Sequence, residues 1–375
     1  MCGLETFGRK GRGALCGTLA ALVAVAAASL DAHDLERTQV TLTFAADGTF
    51  VLEIANDPNW LLLRLESFAG GLVPAGLTMD ARDRRLADLS AAFIDRVVLF
   101  VDGREIRPDS AEYVPPRPQR PSDALPPLAT FRLRGRMPTD ARVLRWLYGL
   151  VIDPYPLTIR RPDGQSKIEW IQGSNWSDII DLSGQFRQAT RLEIAREYLR
   201  LGYTHILPKG VDHILFVIGL FLLSVRLRPI LIQVTTFTVA HSITLGLTMY
   251  GIVSLPSRIV ESLIALSIAY VAIENLMTSE LKPWRLALVF LFGLLHGMGF
   301  AGVLSDLGLP RGSFLTALLS FNLGVEAGQL TIIALAALAV AWYRHQPWYH
   351  QRIVVPASLC IAAVGVYWTV VRAFA

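Results

Sequence analysis

Two hydrophobic patterns follow one another along the chain. Up to about residue 190, apolar residues come in short runs separated by turn formers. Val40-Thr41-Leu42-Thr43-Phe44 alternates apolar and polar side chains, the period of a strand with one face buried. Thr49 to Ile54 is strand-like as well, and Asp47-Gly48 between the two runs supplies a hairpin turn. Val97 to Val101 and Arg104 to Ile106 flank Asp102-Gly103 in the same manner. Ala129 to Leu133, Leu157 to Arg160 and Lys167 to Ile171 predict further strands, and Ala81 to Ile94 suits one helix. The Pro-rich stretch Pro115 to Pro127 reads as a loop, because strand-like sequence resumes beyond it. This half predicts a β-rich, sandwich-like domain over residues 33–190.

The second pattern is helical. Gln185 to Arg200 is amphipathic, with Arg187, Arg191, Glu193, Arg196, Glu197 and Arg200 on its polar face. It predicts a helix over 191–204 lying at a membrane surface. Six apolar segments follow, at about 207–225, 229–250, 257–278, 285–304, 313–342 and 353–373. Each is near or above the ~20 residues that cross a bilayer. Connections such as Ser224 to Arg228 are short, so neighbours run antiparallel. The expectation is a multi-domain chain, with a β-rich exported domain followed by an α-helical bundle of about six membrane spans over residues 205–375.

Composition agrees. The chain is 53% hydrophobic and 18% charged, with a mean hydropathy of +0.43, too apolar for an ordinary soluble protein. A net charge of +4 comes without any dense basic run interleaved with aromatics, which excludes a nucleic-acid surface. Residues 1–32 have the form of a secretory signal: Arg9, Lys10 and Arg12 precede the apolar run Ala14 to Leu30. Cleavage after Ala32 and retention as an anchor are the two alternatives. Cleavage would remove Cys2 and Cys16, leaving Cys360 and no disulfide framework. An exported N-terminal domain puts the loops after spans one, three and five in the cytoplasm. Those loops carry Arg226, Arg228, Lys282, Arg285, Arg344 and Arg352, whereas the opposite loops and the C-terminus carry Arg258, Arg311 and Arg372. The positive-inside rule gives the same orientation, that of an inner or plasma membrane protein with a periplasmic-side domain.

Ionisable groups inside apolar segments are costly, and they carry the chemistry. Asp212 and His213 open the first span. Span two carries His241 and Ser242, span three Glu274-Asn275, span four His296 among glycines, and span five Asn322, Glu326 and Gln329 on one helical face. The glycines beside His296 let a neighbouring helix come close. Span six is almost free of ionisable groups and reads as scaffold. At a rise of about 1.5 Å per residue, Asp212, His213, His296, His241 and Asn322 fall within roughly 8–14 Å of the outer face, and Glu326 at roughly 20 Å. Glu274 sits apart, near the cytoplasmic edge. Asp212, His213, His241, His296 and Glu326 form a ligand set for a borderline divalent metal such as nickel, cobalt or zinc. His205, Ser242, Glu274, Asn275, Asn322 and Gln329 are supporting or pathway residues. Helix-to-helix hydrogen bonding is the simpler account of Ser242 and the threonines around it.

At these residues the chain resembles the HupE/UreJ family of membrane proteins, in the branch with a large exported N-terminal domain. The resemblance rests on Gly210 to Phe216, Phe237 to Leu245, Glu274-Asn275, Phe292 to Ala301, and Phe321 to Gln329. It implies a nickel or cobalt permease, or an accessory protein of hydrogenase or urease. Shorter HupE proteins show His-Pro-x-x-Gly-x-Asp-His in the first span. Asp212-His213 matches its end, but His205 lies one residue further back and Pro208 does not follow it directly. One residue turns a helix by about 100°, which sets His205 off the motif's face. Three readings stay open. The first is a permease passing a divalent metal ion across the bilayer. The second is an intramembrane zinc-dependent hydrolase, although neither His-Glu-x-x-His nor Gly-x-Ser-x-Gly occurs. The third is a metal-binding assembly protein whose exported domain holds a protein partner.

Overall fold

The alternation at Val40 to Phe44 becomes strand β1 (Thr38–Phe44), paired antiparallel with β2 (Thr49–Asn56). The computed structural model describes residues 37–73, 76–118, 126–184, 186, 190–224, 226–278, 282–306 and 313–374, with backbone alone for 301–306. The expected signal segment, Arg187 and Arg311 lie outside the described residues.

All seven strands expected in the first half are present. The others are β3 (Val97–Val101), β4 (Arg104–Ile106), β6 (Ala129–Arg136), β8 (Tyr155–Arg160) and β9 (Ser166–Ile171). Three more were not expected: β5 (Ser110–Val114), β7 (Val143–Tyr148) and β10 (Ile180–Asp181). They form a six-stranded sheet in the order β5-β6-β2-β1-β8-β9 and a four-stranded sheet in the order β10-β7-β3-β4. Among the described residues only β1 with β8 is a parallel pair, Val40 opposite Leu157 and Leu42 opposite Ile159. At the β3–β4 turn, Asp102 and Gly103 both have positive φ (49° and 80°), the geometry that two-residue hairpins require. The Asp102 carboxylate also accepts from the backbone N–H of Val143 at 2.9 Å, tying the turn to β7.

Helix α1 (Pro58–Ala69) was also unexpected. Asp57 caps it by accepting from the N–H groups of Asn59 and Trp60, Pro58 opens it, and Gly70 ends it at φ 74°. The single helix expected over Ala81 to Ile94 is two, α2 (Met79–Asp88) and α3 (Ser90–Ile94). The chain turns at Leu89 so that both it and Phe93 are buried. Both sheets and all three helices share one apolar core, including Leu42, Leu52, Ile54, Leu65, Phe93, Phe131, Trp146 and Leu157. A buried polar bridge joins the sheets: Tyr148 donates to Asn56, which donates to Thr38. Each of these groups therefore keeps a partner on burial.

Glu66 on α1 is 3% exposed and accepts two hydrogen bonds from the Arg85 guanidinium. That contact holds its carboxyl below the ordinary value of 4.5. A depressed folded-state value contributes stability above the unfolded value and loses it as pH falls through the folded one. The N-terminal unit is therefore expected to weaken below about pH 4.5. Arg85→Gln leaves the carboxylate buried without its cation and is expected to reverse that slope. Urea titration followed by tryptophan emission across the acid range checks both.

The second compact unit begins at Arg191. Its helices are α4 (Arg191–Ile206), α5 (Val211–Leu223), α6 (Leu227–Met249), α7 (Ser257–Met277), α8 (Arg285–Asp306), α9 (Phe314–Val340) and α10 (Val355–Phe374), the last entered through a π-helical turn at His350–Val354. Four are long and apolar enough to cross a membrane: α6, α7, α9 and the combined His350–Phe374. A fifth span results if α4 and α5, bent by 70° at their junction, count as one. The apolar part of α8 with described side chains is shorter, Arg285–Phe300. Among the described residues four to five apolar spans are therefore seen, against the six expected. The segment over 207–225 is not one continuous helix, because Pro208 lacks an N–H and disfavours helix before it. What remains, α5, is 13 residues, or ~20 Å against a hydrocarbon core of ~30 Å.

Helix α4 does more than lie on a surface. A Cβ on Gly202 would overlap the carbonyl oxygen of Phe321, and one on Gly324 would overlap that of Leu199, so the α4 and α9 backbones touch. Gly293 and Gly297 admit α6 to α8 in the same way, and Gly365 admits α7 to α10. This is the close small-residue contact by which membrane helices associate.

Candidate metal centre

Three imidazoles converge where the α4–α5 break meets α6. His205 comes from the last turn of α4, His213 from the first turn of α5 and His241 from the middle of α6. One ring nitrogen from each lies within 4.8 Å of the others, and all three side chains are buried. His296 of α8 stands alongside, its ring 5.0 Å from that of His213, but it is not one of the three whose nitrogens cluster. Phenylalanines wall the group: Phe300 lies 3.9 Å from His205, Phe237 4.9 Å and Phe216 5.4 Å from His296. Neutral imidazole has one donor and one lone pair, so the geometry of the donor side decides where the lone pair points.

Two of those donors are assigned by their partners. Asn322 Nδ2 donates to the Leu318 carbonyl at 2.8 Å, which turns its Oδ1 toward His241 Nδ1, 3.0 Å away. His241 Nδ1 therefore carries the proton, and its lone pair lies on Nε2, a buried atom with no hydrogen-bond partner among the described residues. His296 Nδ1 is 2.8 Å from the Phe292 carbonyl, which can only accept, so its lone pair is also on Nε2. A ring nitrogen held as donor so that the other faces a site is the usual arrangement around metal-binding histidines.

The other two expected ligands, Asp212 and Glu326, and several supporting residues meet other partners. Asp212 is fully buried, but its carboxylate takes Arg372 of α10 in a two-point contact, at 2.9 and 3.3 Å. Adjacent helical residues point about 100° apart, so Asp212 and His213 leave α5 in different directions. Arg372, expected as a terminal charge beside a featureless scaffold helix, is 11% exposed and lies over the Trp368 ring. Glu326 is half-buried and accepts from Thr235 at 2.6 Å, outside the three-histidine cluster. Gln329 accepts from Thr238, and Ser242 bonds back to the Thr238 carbonyl. Asn275 donates to the Gly219 carbonyl across the α5–α7 contact. Glu274 pairs with Arg285 at 2.5 Å; Arg285 is not a solvated loop cation but is 2% exposed.

His205 is the residue that helical counting misplaced. The 100° argument assumes one continuous helix, but α4 stops at Ile206 and α5 restarts at Val211 with a new phase. Pro208 was the available signal.

Apolar helices packed through glycines around buried, lone-pair-bearing imidazoles define an integral membrane protein with a buried histidine cluster. Residues 183–372, just over half of the chain, match the family model described as HupE / UreJ protein. The chain belongs to the HupE/UreJ family, and the matched region contains every histidine of the centre. Comparison with curated proteins and with solved structures returns no match.

Proposed function

We propose that the chain is a membrane permease for a divalent transition metal, nickel or cobalt, with His205, His213 and His241 as its intramembrane ligands. The observation that carries this reading is the convergence of three buried imidazoles from three helices with donor atoms within 4.8 Å. Neutral nitrogen donors suit nickel, cobalt and zinc over calcium or magnesium. Family membership points the same way, since HupE/UreJ proteins are associated with these metals. The break between α4 and α5 adds support. Discontinuous helices are how transporters place binding groups at membrane depth, and irregular backbone is tolerated there only where protein or a cavity surrounds it. His296 extends the set beside His213, and the pairs Thr238–Gln329 and Thr235–Glu326 line the α6–α9 contact beyond it. In this reading the β-rich unit stands on the exported side, and the basic loops face the cytoplasm.

Purified protein is expected to bind one equivalent of nickel or cobalt and, in liposomes, to admit it saturably. Zinc retained at one equivalent without any transport would replace this reading with the hydrolase.

Asn322 supplies an independent check. Asn322→Leu removes the acceptor that fixes the His241 tautomer and should weaken metal binding by about 10–100-fold. Equilibrium dialysis against labelled nickel measures it, with helicity as the control.

A further inference from the structure

A second polar node lies in the same bundle. The Arg285 guanidinium of α8 donates Nε to Gln233 Oε1 of α6 at 2.9 Å and Nη1 to Glu274 Oε2 of α7 at 2.5 Å. All three side chains are buried, at 2%, 4% and 8% exposure. Gln233 Nε2 donates to the Pro229 carbonyl, which fixes the amide with its oxygen facing the node.

The node is underfilled. Glu274 Oε1 and Arg285 Nη2 are buried and have no hydrogen-bond partner among the described residues. A buried ion pair that serves only to hold helices together gains from having its remaining lone pairs and protons satisfied. Here a buried carboxylate oxygen is left open on a group that shares its guanidinium partner with an amide oxygen from another helix.

Its position matters as much. Gln233 lies eight residues from His241 on α6, or ~12 Å along the helix axis. Arg285 lies eleven residues from His296 on α8, or ~16 Å, and only about 20° around the helix. The node is therefore displaced along the bundle from the histidine centre, with its α8 member on the same face. Between them, Gln329 Nε2 is another buried group without a hydrogen-bond partner among the described residues.

We propose that Glu274 and Gln233 form a second, inner site for a divalent cation, and that the Arg285 guanidinium occupies it as a tethered substitute when no ion is there. Both acceptors already converge on one positive charge. An ion arriving from the histidine centre takes the oxygens, and Arg285 swings out; departure of the ion lets the guanidinium return. Oxygen donors hold a borderline cation more weakly than imidazoles, which suits a site of release. The proposal rests on the permease reading for its direction of travel.

The test is binding stoichiometry of the full-length protein in detergent, with cobalt(II) chloride as the probe and no transport step. Arg285→Gln empties the node of its cation and should raise bound cobalt by one equivalent over whatever the wild type binds. Adding Glu274→Gln should remove that increment. If folded Arg285→Gln gains no equivalent, the inner site does not exist. Should Arg285→Gln fail to fold, Arg285→Lys serves. Its ammonium stays beside Glu274 but cannot bridge to Gln233, so the added equivalent should appear at higher cobalt concentration, and its absence overturns the proposal. A wild type that binds no cobalt defeats the permease reading instead, a distinct outcome because the increment is counted from the wild-type level.

Discussion

His213→Ala is expected to abolish nickel or cobalt uptake and to weaken equilibrium binding by on the order of a hundredfold or more. Loss of an outer-shell partner alone costs about 10–100-fold, and His213 is proposed as a ligand itself. Its ring is the hub of the group: it lies 4.8 Å from His205, 6.1 Å from His241 and 5.0 Å from His296. The fold should survive, because the neighbouring Asp212 keeps α5 tied to Arg372 on α10. Unchanged helicity and elution with full metal affinity would falsify the assignment. Glu326→Gln is the contrast. Its carboxylate meets Thr235 rather than the histidines, so binding should stay within a few-fold of wild type while the His213 variant loses it.

Gly202→Leu should be the most damaging change that touches no polar group. Even a single Cβ at this position overlaps the backbone oxygen of Phe321. Overpacking usually costs about 1–3 kcal/mol. The upper end or beyond is expected here, since no flexible side chain can move aside and a helix must. Phe321 precedes Asn322, the residue that orients His241, and Gly202 lies one turn before His205. Pushing α4 from α9 therefore separates His205 from His241. A lowered melting temperature in detergent together with lost metal binding is the expected pair of results. A variant that melts like the wild type would show that the α4–α9 contact is not needed.

Much of this was legible in the residues. The Asp-Gly hairpins and alternating runs located seven strands, and the glycines around His296 correctly announced a close helix neighbour. Strand β7 escaped because Val143 and Leu147 on its outward face are also apolar, blurring the alternation of Leu144, Trp146 and Tyr148. Strand β5 is an edge strand with no fully buried residue. Helix α1 had readable signals in Asp57 and Pro58, but its apolar run was short enough to pass for something else.

For the cluster, residue chemistry and depth bring His213 and His241 to one layer, as they are in the fold, because a continuous helix obeys its period. His205 reads only as a supporting residue when the helical period is carried across a break. Asp212 reads as a metal ligand and Glu274 as a pathway residue because their partners, Arg372 and Arg285, sit at the ends of apolar segments. A window average assigns such residues to loops. A long guanidinium side chain reaches back into the bundle, and only the packed helices reveal what it meets.

The 70° bend between α4 and α5 gives the centre a property that no rigid cage would have. His205 and His213 belong to opposite arms of that bend, so an ion held by both works as a clasp on a hinge. Each tenfold rise of free ion above its dissociation constant adds ~1.4 kcal/mol to the clasped form over any form that parts the two arms. Under the proposed metal binding, occupancy and the angle of the break are one equilibrium, and the concentration of the ion sets the bend.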